Sequence, residues 1–244
     1  MRLDSYLVEK GFFESRHRAA LAIKEGQVSV AEKVVKKPSF SIEAGIEVSV
    51  QEVKFYISRA AKKLEEYLKE YALPIAGARA LDIGSSTGGF TQILLENGVE
   101  SVDCVDVGRE QLHKSLREEK RVSVFEGVDI RDFQPVCSDG GGYDLIVSDV
   151  SFISLLKIID AVDRLASITA TITLLFKPQF EVGIEAKRDS KGVVVDSVVV
   201  ELAKQHFVEA TLKLGWRVLD TRKSRVSGKE GNIEYFYTFS KERA

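Results

Sequence analysis

A short apolar strand that runs directly into a glycine-rich turn is the feature that most limits how this chain can fold. The segment 79–91 reads Arg-Ala-Leu-Asp-Ile-Gly-Ser-Ser-Thr-Gly-Gly-Phe-Thr. We predict a buried strand over Ala80–Ile83, a tight turn over Gly84–Gly89 and a helix that starts near Phe90. Because glycine has no Cβ, the backbone amides of such a turn can approach a nucleotide-like ligand closely. The predicted ligand contacts in this segment are Asp82, Gly84, Ser85, Ser86, Thr87, Gly88, Gly89 and Phe90.

An acidic residue before the turn narrows the choice of ligand. Ser86 stands where the dinucleotide-binding pattern Gly-x-Gly-x-x-Gly has its middle glycine, and Asp82 lies near the end of the strand. A carboxylate there would repel a pyrophosphate, whereas it would attract a ligand that carries an ammonium and a sulfonium. We therefore expect S-adenosylmethionine as the cofactor. The alternative is a purely structural turn in an α/β domain.

The composition argues against several other classes of protein. Of the 244 residues, 44% are hydrophobic and 30% are charged, which is typical of a soluble globular protein. Cys104 and Cys137 are too few for a disulfide framework and lack metal-ligand spacing with the histidines, so we expect a cytoplasmic protein without a metal site. The N-terminus does not resemble a signal peptide. The longest apolar run, near 168–176, is far shorter than the roughly 20 residues needed to cross a bilayer, so we expect no membrane insertion.

The first quarter of the chain differs in charge from the rest. Residues 1–63 hold twelve Lys or Arg and eight Asp or Glu, although the whole chain has a net charge of −2. A basic segment joined to a mildly acidic body indicates a nucleic-acid partner. Apolar spacing predicts two short helices that end at Gly11 and Gly26, followed by strands at Val28–Val30 and Ile46–Val50 with a basic loop between them.

This N-terminal pattern resembles the alpha-L RNA-binding domain, which is named after a small-subunit ribosomal protein and is shared by pseudouridine synthases. The matching residues are Arg2-Leu-Asp4, Ser15-Arg16, Ala19, Ile23, Gly26 and Val28-Ser-Val30. The resemblance implies that cations of the second helix face the RNA backbone, where phosphate contacts add together. A solvated helix face would carry similar charges. The predicted RNA-binding cations of this part are Arg2, Arg16, Arg18, Lys24, Lys36 and Lys37.

Predicted strands and helices alternate beyond residue 64. The expected elements are strands at Ala80–Ile83, Val102–Val107, Val122–Glu126, Asp144–Ser148 and Thr171–Phe176, a helix over 195–214, and an antiparallel pair at Arg217–Arg222 and Glu234–Phe239. This alternation predicts an α/β fold with a parallel, doubly wound sheet that binds ligands at the carboxyl ends of its strands. We expect a small α+β domain over 1–56, a linker over 57–63, and a Rossmann-like domain with a seven-stranded, mostly parallel sheet over 64–244.

Charged residues stand at the ends of several predicted strands. Asp106 ends the second strand, where an acid commonly accepts hydrogen bonds from ribose hydroxyls, and Asp129 follows the third, where it could meet an adenine amino group. Asp149, Lys177 and Glu234 each adjoin an apolar run, and a charge so placed is costly unless it is paired or lies at a cleft. A surface charge that caps a strand is the alternative for any one of them. Three such residues at one sheet edge indicate a functional site.

The whole pattern resembles the TlyA family, historically called hemolysins, which joins an alpha-L RNA-binding domain to an FtsJ-like ribose methyltransferase. The segments that carry the resemblance lie at 58–64, 81–91, 105–108, 148–154, 176–181 and 231–234. The resemblance implies a Rossmann-like class I methyltransferase fold and a catalytic Lys-Asp-Lys-Glu tetrad. At the matching positions the tetrad is Lys63, Asp149, Lys177 and Glu234, with Lys62 as an alternative for the first lysine.

Such a tetrad suits ribose methylation chemically. A ribose 2′-hydroxyl is a poor nucleophile and must lose its proton while it attacks a methyl group. A lysine is attracted to the substrate phosphates, so we expect Lys177 to be the base, and the positive charge of Lys63 would ease its deprotonation. Glu234 and Asp149 would hold the two ammonium groups, and Asp149 would also face the cofactor. Further predicted RNA contacts are Arg59, Lys62 and a basic cluster near the C-terminus that comprises Arg222, Lys223, Arg225 and Lys229.

Three functions compete at this level. The resemblance favours a 2′-O-methyltransferase that acts on a cytidine of ribosomal RNA, free or in a ribosomal subunit, and the compact chain favours 23S rRNA. A membrane-active hemolysin would need an apolar or amphipathic basic segment that the sequence lacks. A non-catalytic RNA-binding protein would not need an intact tetrad. The oligomeric state stays open.

Overall fold

The chain divides into two units, Met1–Phe55 and Tyr56–Ala244. The computed structural model describes residues 1–13, 15–43, 45–51, 54–135 and 141–241. The predicted linker over 57–63 lies within the second unit, because a helix begins at Arg59. Cys137 lies outside the described residues.

The N-terminal unit consists of two helices and a three-stranded antiparallel sheet around one buried apolar cluster. Ser15 caps the second helix, because its side chain accepts a hydrogen bond from the Arg18 backbone N–H. The segment predicted as a basic loop contains a short strand, and the last strand starts two residues later than predicted. The elements are α1 (Leu3–Glu9), α2 (Arg16–Lys24), β1 (Val28–Val30), β2 (Lys33–Val34) and β3 (Val48–Val50), with the strand order β2-β1-β3.

The second unit is built on a seven-stranded sheet. Its strands are β4 (Arg79–Ile83), β5 (Ser101–Asp106), β6 (Val122–Glu126), β7 (Tyr143–Ser148), β8 (Ala166–Phe176), β9 (Arg217–Lys223) and β10 (Tyr235–Ser240). The strand order is β6-β5-β4-β7-β8-β10-β9. Strands β4 to β8 are parallel, whereas β10 is antiparallel to both β8 and β9. The structure thus confirms the predicted α/β fold class and the antiparallel pair that closes the sheet.

Helices cover both faces of this sheet. They are α3 (Arg59–Leu68), α4 (Gly89–Glu96), α5 (Lys114–Arg117), α6 (Ile159–Leu165), α7 (Pro178–Glu181) and α8 (Ser197–Lys213). Alternate residues of the central strand β7 enter different cores, because successive side chains of a strand point to opposite faces. Leu145 and Val147 share a buried cluster with residues of α3 and α4, whereas Ile146 shares one with residues of α6 and α8. In the described ranges, no helix is long and apolar enough to span a membrane.

Strand β8 begins five residues earlier than predicted. Ala166 pairs with Tyr143, and the register then shifts before Thr171 pairs with Leu145. The polar residues at the start of this strand conceal it in the sequence, since they interrupt the apolar run. The irregular pairing accommodates these residues within the strand.

A close contact between α3 and α4 fixes the segment that leads into the edge of the sheet. The backbone N–H of Ile57 donates to Gln92 Oε1 at 2.8 Å. A Cβ built on Gly89 would overlap Ser58 Oγ and would lie 2.7 Å from the backbone nitrogen of Ala61. Glycine at the start of α4 therefore allows the two helices to approach this closely.

We expect Gly89→Ala to lower the free energy of unfolding by roughly 1–3 kcal/mol, because the added methyl group forces α3 away from α4. The matched control is Gly183→Ala, since a Cβ on Gly183 would meet no atom within 4 Å. Denaturant unfolding of both variants measures the difference. Equal stability of the two variants would contradict this packing account.

Candidate active site

Four charged side chains meet at the edge of the sheet where the parallel strands end. Asp149 directly follows β7, Lys177 directly follows β8, Glu234 directly precedes β10, and Lys63 belongs to α3. Because β10 runs antiparallel to β8, the start of β10 lies beside the end of β8. None of the four side chains is more than 12% exposed. The fold therefore gathers two lysines and two acids into one buried place.

The four groups form a chain of alternating charge. Lys63 Nζ lies 2.7 Å from Glu234 Oε2 and 3.6 Å from Asp149 Oδ2, while Lys177 Nζ lies 2.6 Å from Asp149 Oδ1. Lys177 Nζ also donates to Ser151 Oγ at 2.9 Å. Two ammonium groups and two carboxylates compensate one another, which offsets the free-energy cost of burying them.

Only one of the two adjacent lysines of α3 takes part in this chain of charges. Lys63 is buried beside the carboxylates, whereas Lys62 is exposed. Neighbouring residues of a helix point in different directions, about 100° apart, so one rotation of α3 cannot direct both side chains to the same edge. The structure thus brings Lys63 together with Asp149, Lys177 and Glu234.

Two adjoining cavities open beside the four charged residues. The larger has a volume of about 890 Å³ and is lined by all four residues and by Asp82. The smaller has a volume of about 460 Å³ and is lined by the predicted ligand residues Asp106 and Asp129 together with apolar side chains. The residues that line both cavities are Gly84, Ser86, Asp149, Ser151 and Phe152. This arrangement suits a ligand with two parts, one in each cavity, that are connected beside Gly84 and Ser86 of the glycine turn.

The glycine turn has the conformation that its sequence predicts. Gly84 has a φ of +75°, which favours glycine, and a Cβ there would lie 2.9 Å from Val150 Cγ1 and 3.1 Å from Val150 Cα. The turn therefore lies close against the segment that follows β7. The other predicted residues that line the larger cavity are Ser85, Ser86, Thr87 and Phe90.

Gly88 and Gly89 pack against neighbouring protein atoms, and their contact with the ligand stays a prediction. Neither is among the residues that line the two cavities. A Cβ on Gly88 would overlap the Leu116 side chain and lie 2.9 Å from Leu112 Cδ1, and Gly89 lies against α3. Both glycines therefore make room for neighbouring protein atoms. A sequence pattern can indicate where a Cβ does not fit, but it does not identify what takes the space.

Asp82 presents an unusual carboxylate to the larger cavity. It is 1% exposed, and its Oδ2 accepts hydrogen bonds from the Thr91 backbone N–H at 3.0 Å and from Thr91 Oγ1 at 2.6 Å. Its buried Oδ1 has no hydrogen-bond partner among the described residues. Burial raises the pKa of Asp82 to about 7, aided by the charges of Asp149 and Asp106 and opposed by the hydrogen bonds from Thr91. A free carboxylate oxygen in this position suits a cationic group of a ligand.

Asp106 and Asp129 are partly engaged by other protein groups. Asp106 accepts hydrogen bonds from the backbone N–H groups of Ser86 at 2.8 Å and Gly108 at 2.7 Å, so it shapes the turns on both sides of it. Asp129 pairs with Arg131 at 2.6 Å, and this hydrogen-bonded guanidinium lowers the pKa of Asp129. Both residues line the smaller cavity, as a ribose- or adenine-binding role requires.

Three supporting residues were not predicted as site residues. Ser151 Oγ accepts a hydrogen bond from Lys177 Nζ, and the backbone N–H of Thr91 donates to Asp82 Oδ2. Glu181 accepts hydrogen bonds from Ser154 Oγ at 2.6 Å and from a backbone N–H at 2.8 Å, which joins α7 to the segment after β7. Burial raises the pKa of Glu181. All three lie in motifs noted in the sequence, and the polarity of Ser151 and Glu181 beside apolar runs was the available signal.

The predicted RNA-binding cations of the N-terminal unit lie at its surface. Arg2 and Arg16 converge on the buried carboxylate of Asp4. Arg2 Nε and Nη2 donate to it at 3.0 and 2.7 Å, and Arg16 Nη2 donates at 3.2 Å. The Arg18 guanidinium stacks 3.7 Å from the ring centroid of Phe55. The remaining predicted RNA-binding cations of this unit are exposed, namely Lys24, Lys36 and Lys37.

The predicted basic cluster near the C-terminus is largely neutralised by acidic partners. Arg222 and Arg225 both pair with Glu70, and Arg222 also pairs with Asp220. Lys223 is exposed at the end of β9. The sequence does not reveal these pairs, because Glu70 lies far away along the chain.

Similarity to known proteins agrees with this architecture. The family model of the FtsJ-like methyltransferases matches residues 56–241. The family model of the S4 domain matches residues 1–48, which lie within the segment for which the sequence predicts an alpha-L RNA-binding domain. This chain belongs to the TlyA family of FtsJ-like methyltransferases. It is 48% identical over 186 residues to the Campylobacter jejuni protein named 23S rRNA (cytidine-2′-O)-methyltransferase TlyA, covering 76% of this chain and 71% of that protein.

Two further resemblances extend over almost the whole chain. A Mycobacterium tuberculosis protein named 16S/23S rRNA (cytidine-2′-O)-methyltransferase TlyA is 38% identical over 237 residues, which cover 96% of this chain and 88% of that protein. A solved structure from Streptococcus thermophilus, described as that of a candidate hemolysin, has a TM-score of 0.74 and 33% identity and covers 100% of this chain and 89% of its own. Both alignments thus extend over the S4 domain and the methyltransferase domain of this chain.

The raised pKa of Asp82 makes the stability of the protein depend on pH. Between about pH 4 and pH 7 the folded state keeps a proton on Asp82 that the unfolded state releases, so this contribution to stability is lost as the pH rises. Asp82→Asn does not titrate. We expect the difference in free energy of unfolding between Asp82→Asn and the unaltered protein to rise, in favour of the variant, by an amount on the order of 4 kcal/mol from about pH 4 to about pH 7. Denaturant unfolding without cofactor at several pH values measures this difference.

The control for this experiment is Asp129→Asn. In the unaltered protein the pKa of the Asp129 carboxyl is lowered, so this group is ionised in both the folded and unfolded states above about pH 5. We therefore expect the difference in free energy of unfolding between Asp129→Asn and the unaltered protein to stay constant above that pH. A difference for Asp82→Asn that does not change with pH would refute the account of the buried carboxylate.

Proposed function

We propose that this TlyA-family methyltransferase transfers a methyl group from S-adenosylmethionine to the 2′-hydroxyl of a cytidine in ribosomal RNA, with 23S rRNA as the main substrate. The observation that carries the proposal is the buried chain of Lys63, Glu234, Asp149 and Lys177, which faces the same cavity as the free oxygen of Asp82. The names of the two rRNA-modifying relatives support cytidine as the target. The higher identity to the relative named for 23S rRNA alone favours the large subunit.

The residues around the glycine turn fit S-adenosylmethionine. Asp82 offers a free, buried oxygen to the ammonium and sulfonium end, and Asp106 and Asp129 offer acceptors to the adenosine in the smaller cavity. Gly84 lines both cavities, beside these acceptors. When bound, S-adenosylmethionine supplies an activated methyl group on a positively charged sulfur.

Lys177 is the proposed base. Once its ammonium group has released a proton to solvent, the neutral Nζ would accept the proton of the ribose 2′-hydroxyl as that oxygen becomes the nucleophile. Asp149 and Ser151 fix the position of Nζ and stabilise the ammonium that forms. Lys63, which pairs with Glu234, lies near the second oxygen of Asp149 and so helps to fix the carboxylate that positions Lys177.

The S4 domain would provide most of the sequence-independent affinity for RNA. Its exposed cations suit phosphate oxygens, and each phosphate contact releases counterions. Arg2 and Arg16 are held in fixed orientations by Asp4, which reduces the entropy lost when they bind. The substrate would therefore be ribosomal RNA, free or within a ribosomal subunit.

The proposal is tested by identifying the product. The protein is incubated with S-adenosylmethionine labelled in its methyl group and with ribosomal subunits from a strain that lacks the enzyme. The RNA is then digested to nucleosides and analysed by mass spectrometry. We expect 2′-O-methylcytidine from 23S rRNA, whereas a base-methylated nucleoside or no transfer at all would contradict the proposal.

Lys177→Ala should abolish methyl transfer and leave cofactor binding nearly intact. Removing a positioned base typically costs a factor of about 10²–10⁴ in rate. Single-turnover transfer measures the rate, and calorimetric titration measures the affinity for S-adenosylmethionine. Lys213→Ala, which removes an exposed lysine at the end of α8, is the control. If Lys177→Ala kept most of its turnover, the assignment of the base would be wrong.

Asp4→Asn should weaken RNA binding although it removes a negative charge. The variant loses the charge that orients Arg2 and Arg16, so we expect the affinity to fall roughly three- to tenfold. Glu9→Gln removes the same charge from an exposed position of α1, and simple electrostatics predicts unchanged or tighter binding for it. Equilibrium RNA binding compares the two. An affinity gain for Asp4→Asn equal to that of Glu9→Gln would show that Asp4 does not position the arginines.

A further inference from the structure

Two joined loops form part of the rim of the larger cavity. One loop, 182–196, connects α7 to α8, and the other, 224–234, connects β9 to β10. The backbone N–H of Val194 donates to Asn232 Oδ1 at 3.1 Å and links the two loops. The Gly228 N–H donates to the Asn232 carbonyl at 2.8 Å within the second loop. The rim is therefore held together by specific hydrogen bonds.

The first loop has its own internal bracing. Asp189 Oδ1 accepts hydrogen bonds from the backbone N–H groups of Lys191 at 2.8 Å and Val193 at 2.9 Å. The Arg188 guanidinium donates to the Ala186 carbonyl at 3.0 Å and to further carbonyls of the same stretch. These contacts fix the backbone at Lys191, so its side chain extends from a defined place on the rim.

The cationic side chains that line the larger cavity differ in whether they have an ion-pair or hydrogen-bond partner within the described residues. Lys63 and Lys177 are paired with acids, and Arg188 and Arg59 donate to carbonyl groups. Lys191 and Lys229 are exposed, and within the described ranges their ammonium groups have neither an ion pair nor a hydrogen bond. Two free positive charges thus stand at the rim, with Glu230 as the neighbouring acid.

We infer that Lys191 and Lys229 form a phosphate-binding subsite for the RNA backbone beside the target nucleotide. A 2′-hydroxyl belongs to a ribose that lies between two backbone phosphates, so a ribose that reaches Lys177 brings its phosphates to the walls of the same cavity. Lysine ammonium groups bind phosphate as point charges and do not read the base. The subsite thus positions the ribose without choosing the sequence. This inference rests on the proposed function.

The test measures RNA binding and turnover for Lys191→Gln, Lys229→Gln and the double variant of the full-length protein. The probe is the ribosomal RNA or subunit that the unaltered protein methylates. For each lysine removed, we expect the slope of log affinity against log salt concentration to decrease in magnitude by about 0.7–0.9. We also expect KM for RNA to rise at least fivefold in the double variant, with kcat changed less than threefold and the affinity for S-adenosylmethionine unchanged.

Two controls separate this subsite from a general effect of charge. Lys213→Gln removes an exposed lysine away from the rim and should leave KM for RNA unchanged. Glu230→Gln removes the neighbouring acid and should tighten RNA binding. If the rim variants matched Lys213→Gln in salt slope and KM while the unaltered protein methylated RNA, the subsite would be refuted and the proposed function would stand. Absence of methyl transfer by the unaltered protein would overturn both.

Discussion

The ion pair between Lys63 and Glu234 joins the first helix of the methyltransferase domain to the residue that directly precedes its last strand. Since both charges are buried, neither is tolerated without the other, and Asp149 and Lys177 complete the set. The position of Lys177, the walls of the larger cavity and the approach of α3 to α4 therefore depend on one another. This mutual dependence explains why a polar cluster can persist at the edge of a sheet whose two faces are apolar.

The order of charges around the larger cavity follows the chemistry that the family performs. The buried acid Asp82 has a free oxygen and suits a cationic ligand, whereas Lys191 and Lys229 are exposed at the rim and suit an anionic one. Between them lies the compensated set of two ammonium groups and two carboxylates. A cationic methyl donor inside and a polyanionic RNA outside match this order.

The sequence predicted the sheet and three members of the charge chain because repeated β–α alternation fixes which ends of the strands share an edge. Asp149, Lys177 and Glu234 adjoin such strands and could be placed together. The choice between Lys62 and Lys63 depends on the rotation of α3, which the contact at Gly89 sets, and no local pattern reveals it. Likewise, Glu70 pairs with Arg222 and Arg225 through tertiary contacts that no local pattern reveals, and their contact with RNA stays a prediction.

The most direct test of the account is chemical rescue of Lys177→Ala by small primary amines. Because the substitution removes the side chain, methylamine can occupy the space and accept the proton of the 2′-hydroxyl. We predict that methylamine restores part of the single-turnover rate in a saturable manner, that the effect grows as the pH rises and more free amine is present, and that guanidinium has no effect. Restoration by any cation regardless of its basicity, or full activity of Lys177→Arg at neutral pH, would contradict the role of Lys177 as the base.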